Sequence, residues 1–309
     1  MVLILGVNGS LEFFTLSKYR ALLTADQKTY IISIASIVQI VANTAIVISL
    51  ALLNVDIVLV RFIALFSIFL RSVILMGYCK KNYKYINYKE KPNKSALNKR
   101  WDALYLQLLG TIQTGAPVVI LTVLLKDLRL ISVYSIFNMV VRGIAGILNI
   151  FTSGLSASFG DVISKNEGEI LKKSYKEFEF SYYVLIAVIY AVTFITIMPF
   201  INIYTSDIND INYNQPLIGF LFVLNGLMYN IKTPQGMLVI SAGLYKETRV
   251  QSTIQSAIII VVGIVLAPFL GIAGILIAEI ASNIYRDIDL IYFVSKNVTK
   301  TSIANTYYR

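Results

Sequence analysis

The chain has 309 residues, of which 57% are hydrophobic and only 14% are charged, with a formal net charge of +10. Its mean hydropathy of +0.71 and several apolar runs longer than ~18 residues exclude a soluble core and indicate a polytopic membrane protein. Histidine is absent and Cys79 is the single cysteine, which excludes a Ser-His-Asp triad, a multi-cysteine metal site and an internal disulfide. Neither a cofactor nor a catalytic centre is predicted.

Hydropathy and helix-breaking residues predict about nine transmembrane helices in an all-α chain. Most of the 27 Lys and Arg residues fall in alternate joints between these helices. Because positively charged joints stay in the cytoplasm, the first helix is expected to start outside and the C-terminus to lie inside. The predicted spans are 1–17, 30–53, 56–79, 101–125, 131–157, 178–204, 216–242, 250–268 and 270–294.

The longest basic segment, residues 80–100, predicts a boundary between two groups of helices. It separates a partial N-terminal bundle of three helices (1–79) from a six-helix C-terminal bundle with a cytoplasmic tail (101–309). The segment itself is interpreted as a cytoplasmic linker in contact with anionic lipid headgroups. The second and third spans repeat the layout of the last two, which suggests homologous halves, the first half lacking three helices at its front.

Four positively charged residues lie inside predicted spans: Arg61, Arg71, Arg142 and Lys232. Burying four cations without compensation would cost more than roughly 10 kcal/mol. We therefore predict that they border a hydrated, cationic passage that attracts phosphate. Arginine suits this role, because guanidinium can bind phosphate through two parallel hydrogen bonds.

Each of these residues also has an alternative interpretation. Arg61 lies near the outer end of its helix and could extend to the surface. Arg61 and Arg71 differ by about 80° around their helix and roughly 15 Å along it, so both could line one cavity at different depths. Lys232 could be held by carbonyls that the neighbouring Pro234 frees. Glu279 could pair with one of the cations or bind a coupling cation.

Other residues receive structural interpretations. Gly143 and Gly146 are expected to permit close helix contact. The Gly115-Ala116-Pro117 segment is either a hinge or a tolerated kink.

The remaining polar and aromatic residues are also given structural interpretations. Four acids are interpreted as solvated: Glu177, Glu179, Asp287 and Asp289. Four tyrosines are interpreted as interfacial belts: Tyr182, Tyr183, Tyr204 and Tyr213. Five amides are candidate sugar contacts or interhelical hydrogen-bond partners: Gln107, Gln113, Asn138, Asn149 and Asn225.

Several segments together resemble a known family. They are Tyr19–Ile31, Thr114–Leu125, Val133–Val140, Ile150–Ile163, Tyr175–Tyr183, Met198–Ile208 and, most specifically, Gly219–Arg249, which combines Lys232, Pro234 and Gly236 with an LYKETR hairpin. Over Trp101–Arg286 the chain resembles the Wzx-type polysaccharide-repeat-unit flippases of the multidrug/oligosaccharidyl-lipid/polysaccharide superfamily, which share the MATE fold.

The resemblance implies a MATE-like two-bundle transporter in which this chain corresponds to helices four to twelve of the usual twelve. It implies a flippase in the bacterial cytoplasmic membrane that moves an undecaprenyl-pyrophosphate-linked oligosaccharide to the outer leaflet for capsule, exopolysaccharide or O-antigen synthesis. The implied partners are that substrate, membrane lipids and other polysaccharide-assembly proteins, with no nucleic acid. The alternatives are a MATE-type multidrug exporter with an acid-lined cavity, a polysaccharide polymerase with a large outer loop, and a non-functional fragment.

Overall fold

The computed structural model describes residues 2–84, 99–208 and 211–300, and this part of the chain is helical without a β-strand. Its helices are α1 Val2–Ala25, α2 Thr29–Leu52, α3 Ile57–Ala64, α4 Ser67–Asn82, α5 Arg100–Leu125, α6 Leu128–Ser164, α7 Gly168–Tyr204, α8 Pro216–Ile231, α9 Thr233–Ser241, α10 Arg249–Leu270 and α11 Ile272–Asn297.

Six helical segments are long and apolar enough to cross a membrane, which indicates a multi-pass membrane protein. They are α2, the α3–α4 segment Ile57–Asn82, α5, α6, α7 and α10. The predicted span 216–242 is interrupted, since α8 has 16 residues and α9 has 9. The count of nine transmembrane helices stays a prediction.

The long helices extend beyond the apolar runs that predicted them. Helices α6 and α7 have 37 residues each, a length of about 55 Å against roughly 30 Å of hydrocarbon. Hydropathy marks where a helix leaves the apolar layer, but the helix continues through the charged residues that follow. For the same reason α1 continues to Ala25, so the turn before α2 is shorter than predicted.

The chain divides into two compact units, Met1–Pro92 and Asn93–Arg309. Most of the linker predicted at 80–100 lies outside the described residues, as do residues 301–309 of the predicted tail. In the N-terminal unit, α4 packs against α1 and α2 around a small core that includes Leu16, Leu23, Leu75 and the buried, free Cys79.

A polar contact joins the α1–α2 turn to the end of α4 in the N-terminal unit. The Tyr83 hydroxyl donates to Asp26 Oδ2 at 2.5 Å, and Lys28 Nζ lies 2.7 Å from the same oxygen. These two donors, Lys28 first, lower the pKa of the Asp26 carboxyl. The charged form of Asp26 is therefore the one that holds the turn against α4.

In the C-terminal unit, α10 packs against α5 and α11, and α8 packs against α11 and α7. The centre of its core is aromatic: the Phe137 and Phe222 rings stack with centroids 5.6 Å apart, and Tyr134 lies 5.1 Å from Phe222. Tyr134 and Val141 of this core also line a neighbouring cavity that contains polar side chains.

Glycine permits close contact at positions other than those expected. A Cβ at Gly143 or Gly146 would meet nothing within 4 Å, so the expectation of close packing there is wrong. Instead, α6 contacts α9 through Ser156 and Gly160, and the Ser241 hydroxyl donates to the Ser156 carbonyl at 2.8 Å. At Gly274, a Cβ would lie 2.6 Å from the Leu266 carbonyl oxygen.

Gly274→Ala is expected to destabilise the C-terminal unit by about 1–3 kcal/mol, because the added methyl group overlaps backbone that must move. The measurement is the thermal unfolding midpoint of the purified protein in detergent. The matched control is Gly143→Ala, whose methyl group enters open space and should leave the midpoint unchanged or slightly higher. Equal midpoints for the two variants would contradict the close contact of α10 with α11.

Candidate functional site

A polar cavity of about 280 Å³ lies within the C-terminal unit. Its walls come from α5, α6, α8, α10 and α11, and its lining combines one guanidinium, one carboxylate, two phenols and several amides in an otherwise apolar bundle. The lining residues are Gly110, Gln113, Thr114, Tyr134, Asn138, Val141, Arg142, Ala145, Asn225, Gly226, Tyr229, Asn230, Gln255, Ile259, Glu279 and Asn283.

Arg142 borders this cavity from α6. Its Nη2 donates to the Thr114 carbonyl oxygen on α5 at 3.2 Å. Pro117 removes one backbone hydrogen bond from α5 next to this point, although the helix continues through it. Within the described part of the chain, no carboxylate oxygen lies within 4 Å of the Arg142 guanidinium. The Arg142 guanidinium is therefore bonded to a backbone carbonyl, and the exposed rest of the side chain borders the cavity.

Glu279 reaches the cavity from α11 and is bound by neutral donors. Asn225 Nδ2 on α8 donates to its Oε2 at 2.7 Å, and the Tyr134 hydroxyl on α6 donates to its Oε1 at 3.3 Å. Three helices are thus connected by one carboxylate. Among the described residues, Glu279 has no ion pair within 4 Å, so neutral groups compensate its burial.

Lys232 occupies the interruption between α8 and α9. Helix α9 begins at Thr233 with Pro234 in its first turn, where the missing N–H of proline costs nothing. Lys232 Nζ donates to Asn283 Oδ1, and it also lies 4.8 Å from the centre of the Tyr229 ring. The ammonium is therefore held by a side-chain amide of α11 and an aromatic face.

The two deep charges belong to one hydrogen-bonded chain. Asn283 accepts from Lys232 and donates through Nδ2 to Asn225 Oδ1 at 2.9 Å, while Asn225 donates to Glu279. The polar chain therefore runs Lys232, Asn283, Asn225, Glu279, Tyr134. It carries polar contacts from the helix interruption to the wall of the cavity.

The sequence interpretation missed the burial of acids near the ends of α7 and α11. Glu179 and Asp287 are buried, so the solvated-face interpretation is wrong for both; Asp289 is partly buried and pairs with the buried Arg286. A signal was present in α11: Glu279, Asn283 and Asp287 are spaced four residues apart, which places them on one helix face.

The tyrosine interpretation also needs correction. Tyr182 and Tyr213 are buried, whereas Tyr204 is exposed. The Tyr182 hydroxyl donates to Asn230 Oδ1 at 3.1 Å, and Asn230 Nδ2 donates to the Tyr190 hydroxyl at 2.8 Å. These phenols join α7 to α8 next to the cavity and do not form a belt at the membrane surface.

Of the four predicted cations, only Arg142 is among the described residues that line the polar cavity. Lys232 is hydrogen-bonded to the lining residue Asn283, and the other two cations lie in the N-terminal unit. Arg61 is exposed on α3. Arg71 is partly buried on α4, and its Nη1 lies 3.4 Å from Gln39 Oε1 on α2. Of the five candidate amides, Gln113, Asn138 and Asn225 line the cavity.

Comparison with known proteins identifies no relative: no protein-family model, no curated protein and no solved structure matches this chain.

Replacing Asn225 or Asn283 by Ala is expected to lower the free energy of unfolding by about 1–3 kcal/mol, because each change leaves a buried partner without its hydrogen bond. The two residues are directly bonded, so the double variant should lose less than the sum, with a coupling energy of about 0.5–3 kcal/mol. Thermal or denaturant unfolding of the four proteins gives this cycle. The exposed amides Gln107 and Asn212, which lie on separate segments of the chain, provide the control pair, whose effects should add.

Proposed function

We propose that this chain is a flippase component that moves a lipid-linked oligosaccharide across the bacterial cytoplasmic membrane. The observation that supports this proposal is a polar cavity inside an apolar helical bundle, bordered by Arg142, which has no carboxylate oxygen within 4 Å among the described residues. A lipid-linked oligosaccharide has a phosphorylated, hydroxyl-rich headgroup that matches the polar cavity, and an apolar tail that matches the apolar surroundings of the bundle.

Arg142 is the proposed phosphate contact. Its guanidinium has five N–H donors and the backbone bond to Thr114 uses one of its nitrogens, which leaves donors for a diphosphate. An arriving phosphate would also supply a direct ion pair, which no described carboxylate makes with Arg142. Binding and release of cargo would then change the local electrostatic balance of the bundle.

The amides of the cavity wall are the proposed sugar contacts. Gln113 and Asn138 each add an amide to the wall. Gln113 Nε2 already donates to Ser252 and Ser256, and its oxygen stays available as an acceptor. Asn225 bonds Glu279 and Asn283 and would use its remaining hydrogen-bonding capacity. A volume of about 280 Å³ is at the lower limit for ligand sites, and it suits a diphosphate or a single sugar ring more than a complete repeat unit. In this proposal the cavity holds the headgroup next to the lipid, while the rest of the oligosaccharide extends outside it.

The polar chain provides a link between the cavity and the helix interruption. In the proposed alternating-access cycle, Glu279 orients Asn225 toward the cargo, and Lys232 supplies a second positive charge at the far end of the chain. The orientation proposed from the basic joints places the C-terminus in the cytoplasm, so cargo enters from the inner leaflet. Arg61 and Arg71 stay proposed contacts of the N-terminal unit.

A multidrug exporter is the closest alternative function. Such a protein would need a cavity that attracts cationic drugs, whereas this cavity places Arg142 beside Glu279 and surrounds both with amides. Charge and hydrogen-bonding capacity favour an anionic, hydroxylated cargo.

Arg142→Gln is expected to slow flipping roughly tenfold or more, because a charge-assisted hydrogen bond to phosphate is lost. The measurement is the transfer of a fluorescent undecaprenyl-pyrophosphate oligosaccharide between leaflets of proteoliposomes that contain the purified chain. Arg129→Gln is the matched control, since Arg129 is largely exposed and outside the cavity; it should flip at the rate of the unmodified protein.

Two results would contradict the proposal. Unchanged flipping by Arg142→Gln would remove Arg142 from the cargo path. Failure of the unmodified chain to flip this lipid, together with export of a cationic dye from the same vesicles, would favour the multidrug exporter.

A further inference from the structure

A second pocket, also of about 280 Å³, lies at another end of the C-terminal unit. It is formed by the first turns of α7, by Gln235 of α9 and by the last turns of α11, and we call it the basic pocket. None of its residues lines the polar cavity. It is therefore a separate site with its own chemistry.

Three lysines of α7 line the basic pocket: Lys172, Lys173 and Lys176. Lys172 Nζ pairs with Glu169 Oε1 at 2.8 Å. Lys173 and Lys176 are exposed, and in the portion of the chain that the structure covers neither has a carboxylate within 4 Å. The side of the pocket that faces water therefore has an excess of positive charge.

The inner wall of the basic pocket offers hydrogen-bond acceptors. Gln235 is only 1% exposed, and its Nε2 donates to Glu179 Oε1 at 2.8 Å and to the Tyr183 hydroxyl at 2.7 Å. Its Oε1 is buried and has no hydrogen-bond partner among the described residues. An unused buried acceptor is costly, so a group that donates a hydrogen bond would be stabilised there.

The two walls together define the ligand. An anionic group would contact Lys173 and Lys176, and a hydroxyl a few bonds away would donate to Gln235 Oε1. With Lys172, Lys173 and Lys176 opposed by Glu169 and Glu179, the lining has an excess of one positive charge, which a singly charged headgroup would neutralise. A zwitterionic headgroup would leave this excess in place.

The position of the pocket along the helices agrees with this chemistry. The apolar runs of α7 and α11 are predicted to start at 178 and to end at 294, and the pocket residues lie on both sides of these limits. These span limits predict that the pocket lies at the level of lipid phosphates, on the side that the basic joints assign to the cytoplasm.

We propose that the basic pocket binds the phosphate ester of a polyol, with phosphate on Lys173 and Lys176 and a hydroxyl on Gln235. The ligand is either the glycerol phosphate headgroup of an anionic lipid or a soluble glycerol phosphate, which share this chemistry. The site does not depend on the cargo proposed above, and its occupation would brace α7, α9 and α11 against one another.

The test uses the purified chain in phosphatidylcholine nanodiscs. In one arm, phosphatidylglycerol is added at increasing fractions and the retained lipid is counted by native mass spectrometry. In the other, soluble glycerol 3-phosphate is titrated and the unfolding midpoint is followed. Saturable binding in either arm supports the site; binding of the lipid alone identifies a headgroup, and binding of the soluble ester identifies a free ligand.

The variants locate the binding. The double variant Lys173→Ala, Lys176→Ala should bind roughly 10- to 30-fold more weakly, since each lysine contributes about 1 kcal/mol near an anionic group. Lys165→Ala with Lys246→Ala removes the same charge outside the pocket and should bind normally. Gln235→Met should remove the preference for glycerol 3-phosphate over inorganic phosphate. No saturable binding in either arm, or equal weakening in both double variants, would overturn the proposal.

Discussion

A polar group buried in an apolar bundle is costly unless another group takes its hydrogen bonds, and this cost explains much of the arrangement of the C-terminal unit. Asn225 and Asn283 are the central case, because each bonds the other and one charged residue. Together they bring α8 and α11 into one register, and Tyr134 adds α6 through Glu279. The apolar core determines which helices are neighbours, and these hydrogen bonds determine the rotation of each helix about its own axis.

The polar cavity and the basic pocket handle charge in different ways. At the cavity, Glu279 accepts hydrogen bonds from neutral donors, and Arg142 donates to a backbone carbonyl. Neither residue therefore has a direct ion pair within the described residues. At the basic pocket, exposed lysines lie over a buried amide and carboxylate. The first arrangement suits a site that a charged group enters and leaves; the second suits a site at a phosphate-rich surface.

The sequence predicted where helices lie along the chain better than it predicted which way side chains face. Arg142 and Glu279 stood out because charge at mid-span is costly, and Pro234 marked the interruption beside Lys232. Hydropathy could not place Glu179 or Asp287, because both lie near the ends of apolar runs and their burial depends on other helices that cover them. The pairing of Asn225 with Asn283 could not be predicted either. The two residues are 58 positions apart, and the sequence offers many other pairs of polar side chains.

The interruption at Lys232 has a consequence for how the protein is made. Helices α8 and α9 are each too short to cross a bilayer, and the acceptor of the lysine ammonium lies 51 residues further along the chain. During synthesis Lys232 therefore lacks this acceptor until α11 has been made. Completion of this polar chain is thus tied to the arrival of α11.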